Sequence, residues 1–256
     1  MTAEGSHDLR RTIAILTALD SDEAAERGGL GVVEIACRVG REKTQVSRAL
    51  RALAHAGLVE RDQETQLYRL GWRLFTMAVN AGQPRLRAEA PPVLRQLVGA
   101  LRERVHLTVL VGEGALTLLS ESPMRAVQTA GWVGRTTPLH NTSSGRALLF
   151  DHSDDEIRAL LGELPTGDSV PCRAPRDVED FLVRLRQDRQ RGYALVREEF
   201  EAGLVAAAAP VRDFSGRLIA ALNVSAPEYR MGRELDRAGR MATTAAGRLS
   251  KAMAGR

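Results

Sequence analysis

The sequence predicts an α+β protein in two parts: an N-terminal winged helix-turn-helix, then a domain built on a mixed, mainly antiparallel sheet flanked by helices. Three observations predict it. Apolar residues recur at helical spacing over the first sixty positions, then give way to two short strand-like runs. The stretch "KTQVSRALRALAHAGLVERD" (43–62) carries a basic helix straight into the first of those strands. Beyond residue 105, aliphatic and β-branched runs alternate with helical segments that have recognisable caps.

Asp8 precedes "LRRTIAILTAL", in which Leu9, Ile13 and Leu16 place an apolar stripe on one face of a first helix. "DSDEAAERGG" then reads as a polar loop, longer than such a connection needs. "VVEIACRV" is a second, short helix ended by Gly40. The third starts near Glu42. Its Val46, Ala49, Leu50 and Leu53, at i, i+3, i+4 and i+7, form a buried stripe, and Gly57 stops it. "LVER" and "QLYRL", separated by the polar "DQET", form a hairpin, or wing. That order completes a winged helix-turn-helix over residues 8–70. Residues 71–104 read as a helical linker: "GWRLFTMAVNAG", a break at Pro84, then "PPVLRQLVGALRERV" with Pro91 and Pro92 in its first turn.

The second domain spans 105–256. "VHLTVLV", "ALTLLSES" and "AVQTAGWV" have β character, with Gly112 and Gly114 marking a hairpin between the first two. "SSGRALLF" starts a helix. "SDDEIRALLG" starts another, in which Ser153 and Glu156 make a capping box. "DVEDFLVRLRQDRQRG" is a third helix, with Phe181, Leu182 and Leu185 on one face. The strands "YALVREEF", "GLVAAAAPV" and "RLIAALNVS" follow, and a C-terminal helix from about Arg233 closes the chain.

Composition narrows the function classes. At 44% hydrophobic residues the chain can bury a real core, and aromatics at 4% leave aliphatic side chains to fill it. The N-terminus lacks the apolar region of a secretory signal, and no apolar run approaches the roughly 18 residues of a membrane span. Cys37 and Cys172 form no metal pattern and suit a reducing compartment, so a cytoplasmic protein with no membrane partner is expected. Residues 1–80 carry 11 basic and 11 acidic side chains, yet residues 37–57 hold Arg38, Arg41, Lys43, Arg48 and Arg51 against Glu42 alone. A neutral segment with one basic stripe is the footprint of an anion or nucleic-acid partner.

On the helix from Glu42, the face opposite the apolar stripe carries Lys43, Thr44, Gln45, Ser47, Arg48 and Arg51. Arginine forks suit guanine edges and phosphates, glutamine can read adenine, and threonine or serine can contact either. Taken alone, such a face reads as solvated. Between a short helix and a wing it reads as the DNA-contacting face of a recognition helix.

The whole chain resembles the IclR family of bacterial transcription regulators. The first domain carries that resemblance in "VVEIACRVGREKTQVSRALRALAHAGLVERD" followed by "YRLG". The second carries it in "PLHNTSSGRALL", "RGYALVREEFEAGLVAAAAPVRD" and "LIAALNVSAP". It implies a GAF-like effector domain, double-stranded operator DNA as partner, and a homodimer or homotetramer. The chain departs from the family pattern at Val196 and Arg197, where acidic residues are frequent, at Ala206, where a polar or thiol residue is common, and at Asn223, where serine is usual.

One strand raises a ligand question without the family. In "LIAALNVS", Leu218, Ala220, Leu222 and Val224 form an apolar face, while the other face ends in Asn223 and Ser225. Those two either line a pocket or simply meet water at a strand end. Ser143 and Ser144 start a helix whose free N–H groups attract a carboxylate, and ordinary capping by Thr142 or Ser143 can coexist with that role. With Val196 and Ala206 added from the family positions and Thr129 as a weaker candidate, the expected effector is a small organic molecule with a sizeable apolar part. An aromatic or aliphatic acid fits, its carboxylate at the helix start. The rival is a vestigial pocket that senses nothing.

Enzyme readings fare poorly: the five histidines are scattered, and neither HExxH nor GxSxG appears. No catalytic residue, metal or cofactor is expected. The alternative in a different class is an enzyme or small-molecule carrier whose helix-turn-helix docks a protein.

Overall fold

The computed structural model describes residues 3–80, 84–123, 131–167 and 170–254. The chain divides into two compact units, residues 1–84 and 85–256. The first holds α1 (Ala3–Leu19), α2 (Asp22–Glu26), α3 (Val32–Arg38), α4 (Lys43–His55), β1 (Val59–Arg61), β2 (Tyr68–Leu70) and α5 (Trp72–Asn80). Its core gathers Ile15, Leu30, Ile35, Val46, Leu50 and Tyr68, so the apolar stripe expected on α4 is the one that packs.

Two expectations change here. The first helix begins at Ala3, so Asp8 lies inside it rather than capping it. The stretch 20–29 is not a loop, because α2 forms within it. Ser21 Oγ accepts from the Ala24 N–H at 3.3 Å, and Asp22 and Glu23 stand in the first turn, where the helix dipole favours acids. Ala24 is buried beneath. The wing is antiparallel from Val59↔Leu70 to Arg61↔Tyr68. Leu30 adds a bridge to Tyr68, and at Gly29, with φ +140°, a side-chain Cβ would stand 2.6 Å from the Tyr68 carbonyl oxygen.

The second unit is built on α6 (Pro84–Leu101), β3 (Arg104–Val111), β4 (Gly114–Glu121), β5 (Thr136–Pro138), α7 (Ser143–Leu148), α8 (Asp154–Leu161), α9 (Val178–Arg191), β6 (Ala194–Arg197), β7 (Leu204–Arg212), β8 (Leu218–Pro227), α10 (Glu228–Met231) and α11 (Leu235–Met253). A single turn of 3-10 helix, Gly232–Glu234, leads into α11. The sheet order is β5-β4-β3-β8-β7-β6. Among the described residues every pairing is antiparallel, where a mixed, mainly antiparallel sheet was expected. Tight reversals at Gly112 and at 213–217 make antiparallel neighbours, whereas a parallel pair needs a long crossover.

The sheet has two dissimilar faces. One carries Leu107, Ala207, Leu222 and Val224 into a core with Leu94 and Leu97 of α6 and Ala242 and Leu249 of α11. Five residues of α6 (Leu86, Ala90, Leu94, Leu97 and Val98) are buried, so this helix is core material rather than a spacer. Pro91 and Pro92 lie inside it instead of opening it, and their missing N–H groups leave the carbonyls one turn earlier without the usual helix partner. The other face packs Ala115, Ala194, Ala208 and Ala221 against Leu148, Ile157, Phe181 and Leu185 of α7, α8 and α9. The Ser153–Glu156 capping box of α8 is present in both directions. "AVQTAGWV" is not a strand where it is described: Trp132 and Val133 lie in a turn, and β5 starts at Thr136. Thr129 lies outside the described residues.

Among the described residues no helix is long and apolar enough to cross a membrane, and no group of side chains could hold a metal ion.

Candidate functional site

The exposed side of α4 is uncommitted. Val46, Leu50 and Leu53 are buried, while Lys43, Thr44, Gln45, Arg48 and Arg51 are exposed and Ser47 is half-buried. Glu42 precedes the helix without a side-chain cap, and no acid stands in the first turn. Arg51 Nε reaches the Ser47 carbonyl one turn back, at 3.4 Å. All six candidate side chains therefore belong to one outward face. Arg38 does not join them. It pairs with Glu23 at 2.5 Å and Glu34 at 3.1 Å, beside Arg27 on the same two acids. The hydrogen bond from Arg38, then that from Arg27, holds the Glu23 carboxyl below its usual range. The basic stripe is therefore Arg41, Lys43, Arg48 and Arg51, with Arg38 spent on the α2–α3 corner.

In the second unit, the helices leave part of the sheet uncovered, and a cavity of about 800 Å³ opens there. Val196 on β6, Ala206 on β7, Asn223 and Ser225 on β8, and Ser143 and Ser144 at the start of α7 all line it. Strand register explains how these distant residues meet: Val196 faces Ala206, Ala206 faces Ser225, and Ser225 faces Arg104. One row further along, Ala208 faces Asn223, which faces His106. The floor thus grades from alanine and valine on β6 and β7 to polar groups on β8, β3 and β4.

That polar half exceeds the expectation of a few handles. Arg104, His106 and Thr108 alternate on β3 with the core residues Val105 and Leu107, and Thr117 joins them from β4. In the sequence "VHLTVLV" reads only as a strand, although its alternation with Arg104 carries the signal. Thr142 is the cap of α7, accepting from the Gly145 N–H at 3.1 Å and donating to the Pro138 carbonyl. Ser143, 0% exposed, is released from capping, and its Oγ has no partner. Asn223 Nδ2 donates to Ser144 Oγ at 3.2 Å. At the mouth, Arg230 forms two bonds to the Glu103 carboxylate, of 2.7 and 3.0 Å.

His106 is the titrating group of the floor. Burial, and then the Arg104 charge, pull its imidazole down to about 4. The unfolded chain, with an ordinary histidine near 6.5, takes up the proton first as pH falls. Stability is therefore unaffected above about pH 6.5, declines below it, and has lost about 3 kcal/mol from this residue near pH 4. An NMR titration of the imidazole protons is expected to inflect near pH 4, and an ordinary inflection near 6.5 would contradict the burial.

Beneath α7 lies a charged knot. Arg146, 1% exposed, places Nε 3.0 Å from Asp188 Oδ2, without hydrogen-bond alignment, and spans both Glu199 oxygens at 3.3 Å. It also donates to the Leu195 carbonyl. Arg184 reaches Glu199 from the solvent side at 3.2 Å, and Arg191 reaches Asp188. Burial pushes both carboxyls up, against the pull of these arginines. Phe200 and Glu201, immediately after Glu199, line the cavity, so the knot ties α7, α9 and the cavity rim together.

Comparison with known proteins identifies these parts. Residues 9–63 match the IclR helix-turn-helix domain, and residues 80–251 match "Bacterial transcriptional regulator IclR C-terminal". The chain is 35% identical over 219 residues to the HTH-type transcriptional regulator Rv1719 of Mycobacterium tuberculosis, covering 84% of this chain and 82% of that one. It is 31% identical over 225 residues to the HTH-type transcriptional regulator KdgR of Escherichia coli, covering 88% and 83%. Among solved structures, an IclR homolog from Microbacterium hydrocarbonoxydans complexed with 4-hydroxybenzoate shares the fold with a TM-score of 0.83 at 24% identity, over 97% of this chain and 99% of that one. A putative IclR transcriptional regulator from Silicibacter sp. has a TM-score of 0.75 at 26% identity, over 97% and 96%. With an outward basic helix in one unit and a cavity in the other, the chain belongs to the IclR family of ligand-responsive, DNA-binding transcriptional regulators.

Proposed function

We propose that this chain binds double-stranded operator DNA in the cytoplasm as a homodimer or homotetramer, and that a small organic acid in the cavity changes that binding. Lys43, Thr44, Gln45, Ser47, Arg48 and Arg51 enter the major groove. Ser143, Ser144, Val196, Ala206, Asn223 and Ser225 hold the effector, together with His106. The observation that carries the reading is the outward face of α4, polar and basic while its opposite stripe is buried. Paired protomers present two such helices about 34–36 Å apart, one turn of duplex. An aromatic acid is favoured for the effector by the Val196–Ala206 half of the floor and by the cavity's size, which suits a small molecule. The 4-hydroxybenzoate bound by the Microbacterium homolog supports the same chemical class. The matched relatives are transcriptional regulators rather than enzymes.

The test is operator retardation by the purified chain, with and without a panel of aromatic acids. Arg48→Ala and Arg51→Ala are each expected to weaken operator binding by roughly 1–3 kcal/mol where they read a base. Where they contact phosphate, the salt slope should fall by about one unit. Both variants should unfold at the parent's temperature, since neither residue is in the core. Parent-like operator affinity in both would mean that the assigned face of α4 is wrong.

A further inference from the structure

The cavity floor holds an unbalanced set of hydrogen-bonding atoms. His106 Nδ1, Asn223 Oδ1 and Ser143 Oγ are buried without a partner, in residues 5%, 8% and 0% exposed. Native proteins leave few such atoms, because each lost its water on folding and regained nothing. All three residues line the same cavity.

Their placement says what would complete them. His106 and Asn223 are direct cross-strand partners on β3 and β8, so their side chains stand side by side. The Asn223 N–H group is engaged by Ser144 Oγ at 3.2 Å, which leaves its carbonyl oxygen unmet. The His106 Nε2 edge meets Ser225 Oγ at 3.4 Å. The Trp132 ring packs edge-on against the imidazole with centroids 5.6 Å apart. A neutral imidazole that donates from Nε2 accepts at Nδ1. In the tautomer with the proton on Nε2, His106 Nδ1 and Asn223 Oδ1 are two neighbouring acceptors on residues that line the cavity, and a bare carboxylate, which offers acceptors only, satisfies neither.

Resting on the effector reading above, we infer that the ligand presents a hydrogen-bond donor, a hydroxyl or neutral amino group on an apolar body, to the His106–Asn223 pair. Ser143 Oγ can donate in return to the oxygen of such a hydroxyl. The apolar body lies over Val196 and Ala206. The anionic end turns toward Arg104, two residues along β3 and so about 7 Å from His106. That separation is close to the span across a benzene ring, and a hydroxylated aromatic acid meets both ends. The carboxylate thus sits at the Arg104 end of the floor, not at the start of α7, whose cap Thr142 already supplies.

Calorimetric titration of the full chain with 4-hydroxybenzoate, 4-methoxybenzoate and benzoate compares a donor, an acceptor and neither group at one ring position. The donor is expected to bind at least tenfold more tightly than the other two. In His106→Leu and Asn223→Leu that preference should fall to within twofold of unity. Equal binding of the three acids by the parent needs no variant and overturns the inference while leaving the effector reading in place. A preference kept in both variants overturns it as well. If none of the three binds and none releases the operator, the effector reading falls and takes this inference with it.

Discussion

Arg146→Ala is expected to lower the unfolding free energy of the C-terminal unit by about 3–5 kcal/mol, the cost of leaving buried carboxylates without their cation. That is a large part of the 5–15 kcal/mol or so that holds a typical domain together. Asp188 and Glu199 are 1% and 6% exposed, and among the described residues Arg146 is the one guanidinium that touches both. With it gone, the two carboxyls, already pushed up by burial, must protonate in the fold or drag water in. Their folded-state pKa then stands further above the unfolded value. Stability is retained where they stay protonated and lost as pH rises through that folded value, so the deficit should narrow as pH falls from 7. Urea unfolding of the variant at two pH values measures both effects. A loss under 1 kcal/mol would mean that Arg184 and Arg191 suffice to neutralise the pair. Replacing all three partners together, as Arg146→Met with Asp188→Leu and Glu199→Leu, should recover most of the stability, because no buried charge is left behind.

Gly145→Ala should cost about 3 kcal/mol, near the upper end for an overpacked core site, and should also weaken effector binding. A Cβ at Gly145 would fall 2.7 Å from the Leu139 carbonyl carbon and nearer still to its Cα and oxygen. Those are backbone atoms, which no rotamer change can clear. Helix α7 would have to lift from the 138–139 segment, moving Ser143 and Ser144 with it. Gly247→Ala provides the control, since that helical glycine in α11 has open space around it. It should stabilise by about 0.5–1 kcal/mol, the usual preference for alanine inside a helix. Thermal unfolding of the two variants should therefore move in opposite directions, and equal shifts would remove the claim that α7 is tightly seated.

The winged helix-turn-helix was legible in the sequence because its longer helices, α1 and α4, show a stripe of helical period and its wing is local in the chain. What escaped notice depends on partners far away. Helix α2 was missed although Ser21 and its following acids are a helix-start signature, because five residues are too few to show a period. Helix α6 looked like a spacer, since amphipathic spacing says that one face is buried but not against what. Arg146 gave no warning at all: an arginine in a short helix reads as solvated, and its acids lie on α9 and beyond β6. The cavity was half legible. Asn223 and Ser225 announced themselves by breaking the alternation of β8, and the family positions supplied Val196 and Ala206. His106 and Thr108 used the same alternation on β3, but "VHLTVLV" was not divided into faces, and the polar half of the floor stayed hidden. Thr129 lies outside the described residues.

The outermost strands of the large sheet are its shortest, three residues in β5 and four in β6, while the four between them run for eight to ten. A second copy approaching either border meets only a few unpaired backbone groups, too short a template for ribbon growth. The apolar stretch "LVAAAAPV" of β7 is enclosed between β6 and β8, and Pro210 interrupts its supply of donors. Strand-to-strand pairing between copies is therefore disfavoured at both borders of this sheet.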